Sequence, residues 1–129
     1  MAAGTFTTNV VKAAPVKWDQ EVVYHSESAQ AVIINSGIAN ACTGAEGYGY
    51  CKQTAEAAAK ALNVPESSVL VASTGVIGMQ LPMDRIAAGV ELLAKGKEDT
   101  EEAGLDAAKA IMTTDTRPKY VGVEIEIGG

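Results

Sequence analysis

Ser73-Thr74-Gly75-Val76-Ile77-Gly78 follows directly on a short apolar run, Val69-Leu70-Val71-Ala72. Glycine admits backbone angles closed to other residues and lets a ligand come close to the main chain. A loop of this kind can aim N–H groups at a developing negative charge, and the Thr74 hydroxyl can add a donor. That is the chemistry of oxyanion stabilisation. The same residues also suit a tight strand-to-helix connection, which is the reading they favour when taken alone. A phosphate loop needs Gly-x4-Gly-Lys-Ser/Thr; no lysine stands in that register here, so nucleotide binding is disfavoured.

Three further stretches carry groups with chemical potential. Asn35-Ser36-Gly37-Ile38-Ala39-Asn40 closes a second apolar run and can form either a polar lining or a turn, the turn being favoured. Thr113-Thr114-Asp115-Thr116-Arg117-Pro118-Lys119 gathers hydroxyls and two cations after a helical stretch. Hydroxyls and a cation suit a small amino-acid substrate, and they equally suit a capped helix exit. Cys42 is a possible nucleophile in type but has no evident histidine partner; a free cysteine more often behaves as a small buried hydrophobe. His25, the only histidine, stands in a polar segment with Ser26 and Glu27 and reads as a surface residue. No Gly-x-Ser-x-Gly elbow supports a serine triad.

Composition narrows the classes. With 129 residues, 47% apolar and 20% charged, the chain is sized for one globular domain. Aromatic residues make up only 5%, so the core must be built from Val, Ile, Leu and Ala. The formal charge is -6, and the few basic residues are scattered, which argues against nucleic acid. No basic amphipathic helix or long apolar run points to a membrane. Cys42 and Cys51 form no zinc spacing and no disulfide framework, so both are expected as reduced thiols, and no metal site is expected. The N-terminus lacks the features of a signal peptide, which makes a cytoplasmic location the expectation.

The elements that would position these groups follow from apolar periodicity. A short β-branched strand is predicted over 4–8, and a helix opening at Pro15 and ending near His25. Ala31–Asn35 reads as a buried strand. Thr43-Gly44-Ala45-Glu46 matches a capping box, with the regular helix settling near Tyr50 and running to Leu62, where Asn63-Val64-Pro65 stops it. Val69–Ala72 is a second buried strand. A helix then starts at Pro82-Met83, with Ile86, Val90 and Leu93 on one face, and ends at Gly96. Another runs from about Glu101 to Met112, with Leu105, Ala108, Ile111 and Met112 inward. Tyr120–Ile127 alternates apolar and acidic residues, as a half-exposed strand does. The fold class is α/β: a single domain, 1–129, of strands alternating with helices, without repeats or linkers.

In order and spacing these stretches resemble the glutamate N-acetyltransferase (ornithine acetyltransferase) family. Phe6-Thr7-Thr8-Asn9-Val10-Val11-Lys12-Ala13-Ala14-Pro15-Val16 is similar to an early segment of that family. Asn35 to Gly44 resembles its next hallmark, with Ile38 where Asn is common. Ser73 to Gly78, followed by Leu81-Pro82-Met83, resembles its oxyanion loop, and Thr113-Thr114-Asp115-Thr116 with Lys119 resembles its substrate-side turn. The similarity covers nearly the whole chain.

The resemblance implies the N-terminal part of an ornithine-acetyltransferase or aminopeptidase-like fold. It implies a ping-pong transfer in which acetyl leaves N-acetylornithine, rests on a threonine and passes to glutamate, recycling acetyl in arginine biosynthesis. Thr74 and Gly75 would stabilise the oxyanion, and Thr113 and Thr114 would contact substrate. No cofactor is implied, although some relatives also use acetyl-CoA as a substrate. The family cuts itself into two chains, and the nucleophile is the new N-terminal threonine of the second, whose α-amino group serves as base. That threonine would lie downstream of Gly129. The chain is therefore expected to be an N-terminal fragment of the α chain, inactive alone, whose partner is the downstream β chain in an oligomeric enzyme. Two alternatives stay open: a related autoprocessed aminopeptidase-type hydrolase, and an isolated scaffold without chemistry.

Overall fold

The structure, a computed structural model, describes residues 1–26 and 28–128; Glu27, in the polar segment after His25, and the closing Gly129 lie outside them. The elements are α1 (Ala14–His25), β1 (Ala31–Asn35), α2 (Gly44–Leu62), a 3-10 turn (Glu66–Ser68), β2 (Val69–Ser73), α3 (Met83–Gly96) and α4 (Glu101–Ala110). Strands β1 and β2 pair in parallel, from Ala31 opposite Val69 to Asn35 opposite Ser73. Parallel neighbours need a crossover, and α2 supplies it. No described helix is long and apolar enough to cross a membrane.

Small side chains on α2 let that helix lie close to the strands. Cys51 and Ala55 are fully buried, with Ala58 and Ala59 beside them, against Val69 and Val71 of β2. Asn63 ends α2 in the left-handed conformation at φ 55°, and the Val64-Pro65 pair then turns the chain toward β2. Pro15 sits in the first turn of α1, where its missing N–H costs nothing. That helix covers the free edge of β2. Trp18 Nε1 donates to the Val69 carbonyl at 2.8 Å, and Val71 N–H donates to Asp19 Oδ1 at 2.9 Å. Two side chains thus take the bonds a third strand would make. Helix α3 packs on α2 and contributes Val90 to the core.

Several expectations are corrected. Residues 4–8 form no strand; Phe6 instead meets Tyr24 of α1 edge to face, with ring centroids 5.7 Å apart. The capping box is not made. Thr43 Oγ1 donates to Asn40 Oδ1, Glu46 accepts from the Tyr50 hydroxyl, and α2 is regular from Gly44 rather than from Tyr50. Leu93 on α3 is exposed, as is Ile111 beyond α4, and α4 buries no residue fully. Residues 120–127 form no strand; Val121, Val123, Ile125 and Ile127 are all exposed, because no described strand pairs with them. The α/β class and the alternation of strands with helices over 31–96 match the expectation.

Candidate active site

The loops that leave β1 and β2 run side by side and are stitched by backbone bonds. Thr74 N–H donates to the Asn35 carbonyl at 3.0 Å, Val76 N–H to Gly37 at 3.0 Å, Ala39 N–H to Val76 at 2.9 Å, and Gly78 N–H to Ala41 at 2.8 Å. Ile38 and Val76 make an isolated parallel bridge. The sheet register is in effect prolonged past both strand ends. In extended backbone, alternate N–H groups face opposite sides. The N–H groups of Thr74 and Val76 are used toward the β1 loop, and Gly75 N–H, between them, bonds to nothing among the described residues. The Thr74 hydroxyl is likewise without a hydrogen bond there, and both residues are exposed. These are the two groups to which the family resemblance assigns the oxyanion.

Gly75 is fixed by close approach as well as by angle. Its φ is +130°, and a Cβ on it would stand 2.3 Å from both the carbon and the oxygen of the Gly37 carbonyl. Any side chain would push the two loops apart. Gly37 is favoured for a different reason: a Cβ on it would meet nothing within 4 Å, but its φ is +99°.

Beneath this contact lies Asn40, 1% exposed, with every polar group used. Its N–H donates to Ser73 Oγ at 2.8 Å, and its carbonyl accepts from Ala14 N–H at 3.2 Å. Its Nδ2 donates to the Gly47 carbonyl at 2.7 Å, and Oδ1 accepts from the Thr43 hydroxyl at 2.6 Å. One residue thus joins the starts of α1 and α2 to the end of β2. Gly47 is required here too, since a Cβ would meet Thr43 Oγ1 at 1.8 Å. Over Asn35–Asn40 the favoured turn is not made: the backbone bends at Gly37 and bridges Val76 at Ile38, running on beside the β2 loop. Sequence reasoning named Asn40 within that loop but missed its buried role, and it missed Ser73 and Gly47. Asparagine before a helix start, with a hydroxyl three residues later, is the signal that was available.

Thr113 and Thr114 stand exposed just beyond α4. Ser36 Oγ donates to the Ala110 carbonyl at 2.6 Å, which ties the end of α4 to the loop after β1. No hydrogen bond joins Thr113 or Thr114 to Thr74 or Gly75 among the described residues. Asp115 pairs with Lys119, whose ammonium holds the carboxyl below its ordinary value. A cleft of about 560 Å³ lies along Arg117 to Val121, and one of about 220 Å³ is bounded by Lys12, Lys17, Cys42 and Tyr48. Thr74 and Gly75 line neither.

The two thiols differ. Cys51 is buried, and burial, helped by the Asp19 charge, pushes its pKa up to about 12, so it is inert. Cys42 is exposed and left-handed at φ 58°, contrary to the expectation of a small buried hydrophobe; its place at the turn before α2 keeps it out of the core. His25 is exposed, with Nδ1 2.9 Å from the Glu21 carbonyl of its own helix. Tyr48 donates to Glu21 at 2.7 Å, and that bond raises the phenol to about 12.

Comparison with known proteins gives one consistent picture. The profile of the ArgJ family matches residues 1–129. The arginine biosynthesis bifunctional protein ArgJ of Thermotoga neapolitana is 49% identical over 129 residues, covering 99% of this chain and 32% of that protein. Its counterpart in Symbiobacterium thermophilum is 51% identical over 128 residues, covering 99% and 31%. The chain thus spans about a third of the length of the curated relatives it matches. A crystal structure of the Bacillus halodurans ArgJ protein superposes with a TM-score of 0.83 at 44% identity, over 89% of this chain and 59% of that one. The ornithine acetyltransferase of Mycobacterium tuberculosis, complexed with ornithine, gives 0.84 at 48%, over 89% and 62%.

Proposed function

Since the chain belongs to the ArgJ family, we propose that it supplies the oxyanion-stabilising part of an enzyme that moves acetyl from N-acetylornithine to glutamate. The observation that carries this reading is the pair of donors without a hydrogen bond among the described residues, Gly75 N–H and the Thr74 hydroxyl, on a loop that the N–H groups of Thr74, Val76 and Gly78 tie to the β1 loop. A threonine hydroxyl, in a part of the enzyme corresponding to what the relatives have beyond this chain, attacks the acetyl carbonyl. Its proton passes to the base, and the carbonyl oxygen becomes an oxyanion that accepts from Thr74 and Gly75. Collapse breaks the C–N bond, and ornithine leaves with the proton. The glutamate amine then attacks the acyl-threonine through a second oxyanion at the same donors; collapse breaks the threonine C–O bond, the amine proton passes through the base to the threonine oxygen, and N-acetylglutamate leaves. Removing one such donor costs about 2.7–4 kcal/mol in the barrier.

The reading assigns Thr113 and Thr114 to substrate contact. The tie between Ser36 and Ala110, three residues ahead of Thr113, supports this by bringing the end of α4 to the loop pair. The complex of the tuberculosis enzyme with ornithine supports an amino-acid substrate. The chain fills about a third of the curated relatives but about three-fifths of each solved chain, so those chains are about half as long as the curated sequences. That relation supports an enzyme cut in two, with a β chain as partner in an oligomer. No cofactor takes part; acetyl-CoA would enter as an alternative acetyl donor. The expected compartment is the cytoplasm.

The test is a chimera in which this chain replaces the segment it matches in the Thermotoga neapolitana protein. It should transfer acetyl from N-acetylornithine to glutamate. Release of acetate without transfer would reassign the chain to a hydrolase, and a folded chimera with neither activity would leave it a scaffold.

A further inference from the structure

We propose that Ser73 is a positioning residue for the oxyanion donors: its hydroxyl ties the β1 loop to the chain immediately before Thr74, so that Thr74 and Gly75 are held at the geometry the tetrahedral intermediate requires. This rests on the acetyl-transfer reading above and deepens it. Ser73 is the last residue of β2. Its Oγ accepts from Asn40 N–H at 2.8 Å and lies 3.2 Å from the Ile38 carbonyl, to which it donates. One hydroxyl therefore grips the β1 loop at two places, on either side of Ala39.

What it grips is what sets Gly75. Ile38 bridges Val76, and Ala39 N–H bonds the Val76 carbonyl. A Cβ on Gly75 would fall 2.8 Å from Ile38 N, so the Ile38 backbone is the wall against which Gly75 rests. The Ile38 carbonyl also accepts from Asn35 Nδ2 at 2.7 Å, but that bond stays within the β1 loop. Among the described residues, Ser73 is the one side chain of 73–78 that bonds across to residues 36–41. Asn40, on the far side of this bond, is buried and held by α1 and α2. The hydroxyl thus connects the donor loop to the most constrained point of the fold. Ser73 Oγ makes no hydrogen bond to either donor group among the described residues and so acts through the loop. A donor displaced by a fraction of the oxyanion distance weakens the transition state while leaving substrate binding alone, and misplacement of about 1 Å can cost about a hundredfold in rate.

The experiment is steady-state kinetics and thermal melting of Ser73→Ala, Ser73→Cys and Ser73→Thr in the full-length chimera. Ser73→Ala should lower kcat by about ten- to a hundredfold, with KM within about twofold. Ser73→Thr, which keeps the hydroxyl, should recover most of the loss. A fall in kcat no larger than the fall in folded protein would make Ser73 merely structural and overturn the proposal. If Ser73→Ala does not fold, Ser73→Cys decides, because its thiol fills similar space with only weak hydrogen bonds; wild-type kcat in the folded Cys variant overturns the proposal equally. Thr74→Ala in the same chimera separates the two levels. Slowing by Thr74→Ala without slowing at Ser73 defeats only the positioning role, whereas no slowing by Thr74→Ala defeats the oxyanion reading itself.

Discussion

On the proposed oxyanion reading, Thr74 and Gly75 divide the work at the loop between a side chain and a backbone. Thr74 offers a hydroxyl whose removal takes away one donor. Gly75 offers an N–H, and its missing side chain is what lets the loop lie against Gly37. Gly75→Ala should therefore damage the fold as well as the chemistry. The φ of +130° alone strains a non-glycine residue by about 1–3 kcal/mol. The new methyl would also stand 2.3 Å from the Gly37 carbonyl, so the loops must part. A loss of at least about 5 °C in melting temperature is the expected outcome, and an unchanged melting curve would contradict the close approach. The Thr74-Gly75 pair stands out only through the order and spacing of the stretches around it, since taken alone the loop reads as a strand-to-helix connection. The sequence left Gly37, Ser73 and Asn40 unread in this role. Their function depends on which loop lies beside which, and no local pattern carries that.

At the scale of elements, the surprise is how β2 is finished. A two-stranded parallel sheet leaves open edges, and α1 closes one with Trp18 and Asp19. Burial pushes the Asp19 carboxyl above the ordinary value of 3.8, against the Val71 N–H that favours the ion. The folded chain holds that proton more tightly than the unfolded one. Its contribution to stability is full below the ordinary carboxylate pKa and is lost as pH rises through the elevated one. Asp19→Asn keeps an oxygen for Val71 N–H and removes the charge. The variant should melt above the wild type at pH 7, with the gap closing toward about pH 4. Thermal melts over a pH series check this, and a gap that widens on acidification would contradict it. The helices and the two paired strands were readable because their apolar spacing is regular and their stops, Asn63 and Pro65, are strong. The strand expected at 4–8 had β-branched residues and the one expected at 120–127 had alternation, but neither has a partner among the described residues, and pairing is what makes a strand. The capping box failed for a related reason: a buried Asn40 competes for the Thr43 hydroxyl and wins.

Across the whole molecule, α2 covers one face of the sheet, α3 packs on α2, and α1 lies along the edge of β2. Parallel sheets are ordinarily covered on both faces. Here Val32 and Ile34 of β1 stand 57% and 43% exposed on the face away from α2. The chain alone should therefore self-associate at raised concentration, and Val32→Thr with Ile34→Thr, which keeps β-branching, should shift it toward monomer in size-exclusion chromatography. A wild-type chain that stays monomeric at every concentration would contradict that expectation. The same bare face agrees with a chain that fills about a third of its relatives' length. The chain is proposed to carry oxyanion donors for a nucleophile held elsewhere in the enzyme. The most direct test is the turnover number for acetyl transfer from N-acetylornithine to glutamate in the full-length chimera, with and without Thr74→Ala. Thr74→Ala should lower kcat by about a hundred- to a thousandfold with little change in KM or melting temperature. An undiminished kcat in the Thr74→Ala enzyme would contradict the oxyanion role.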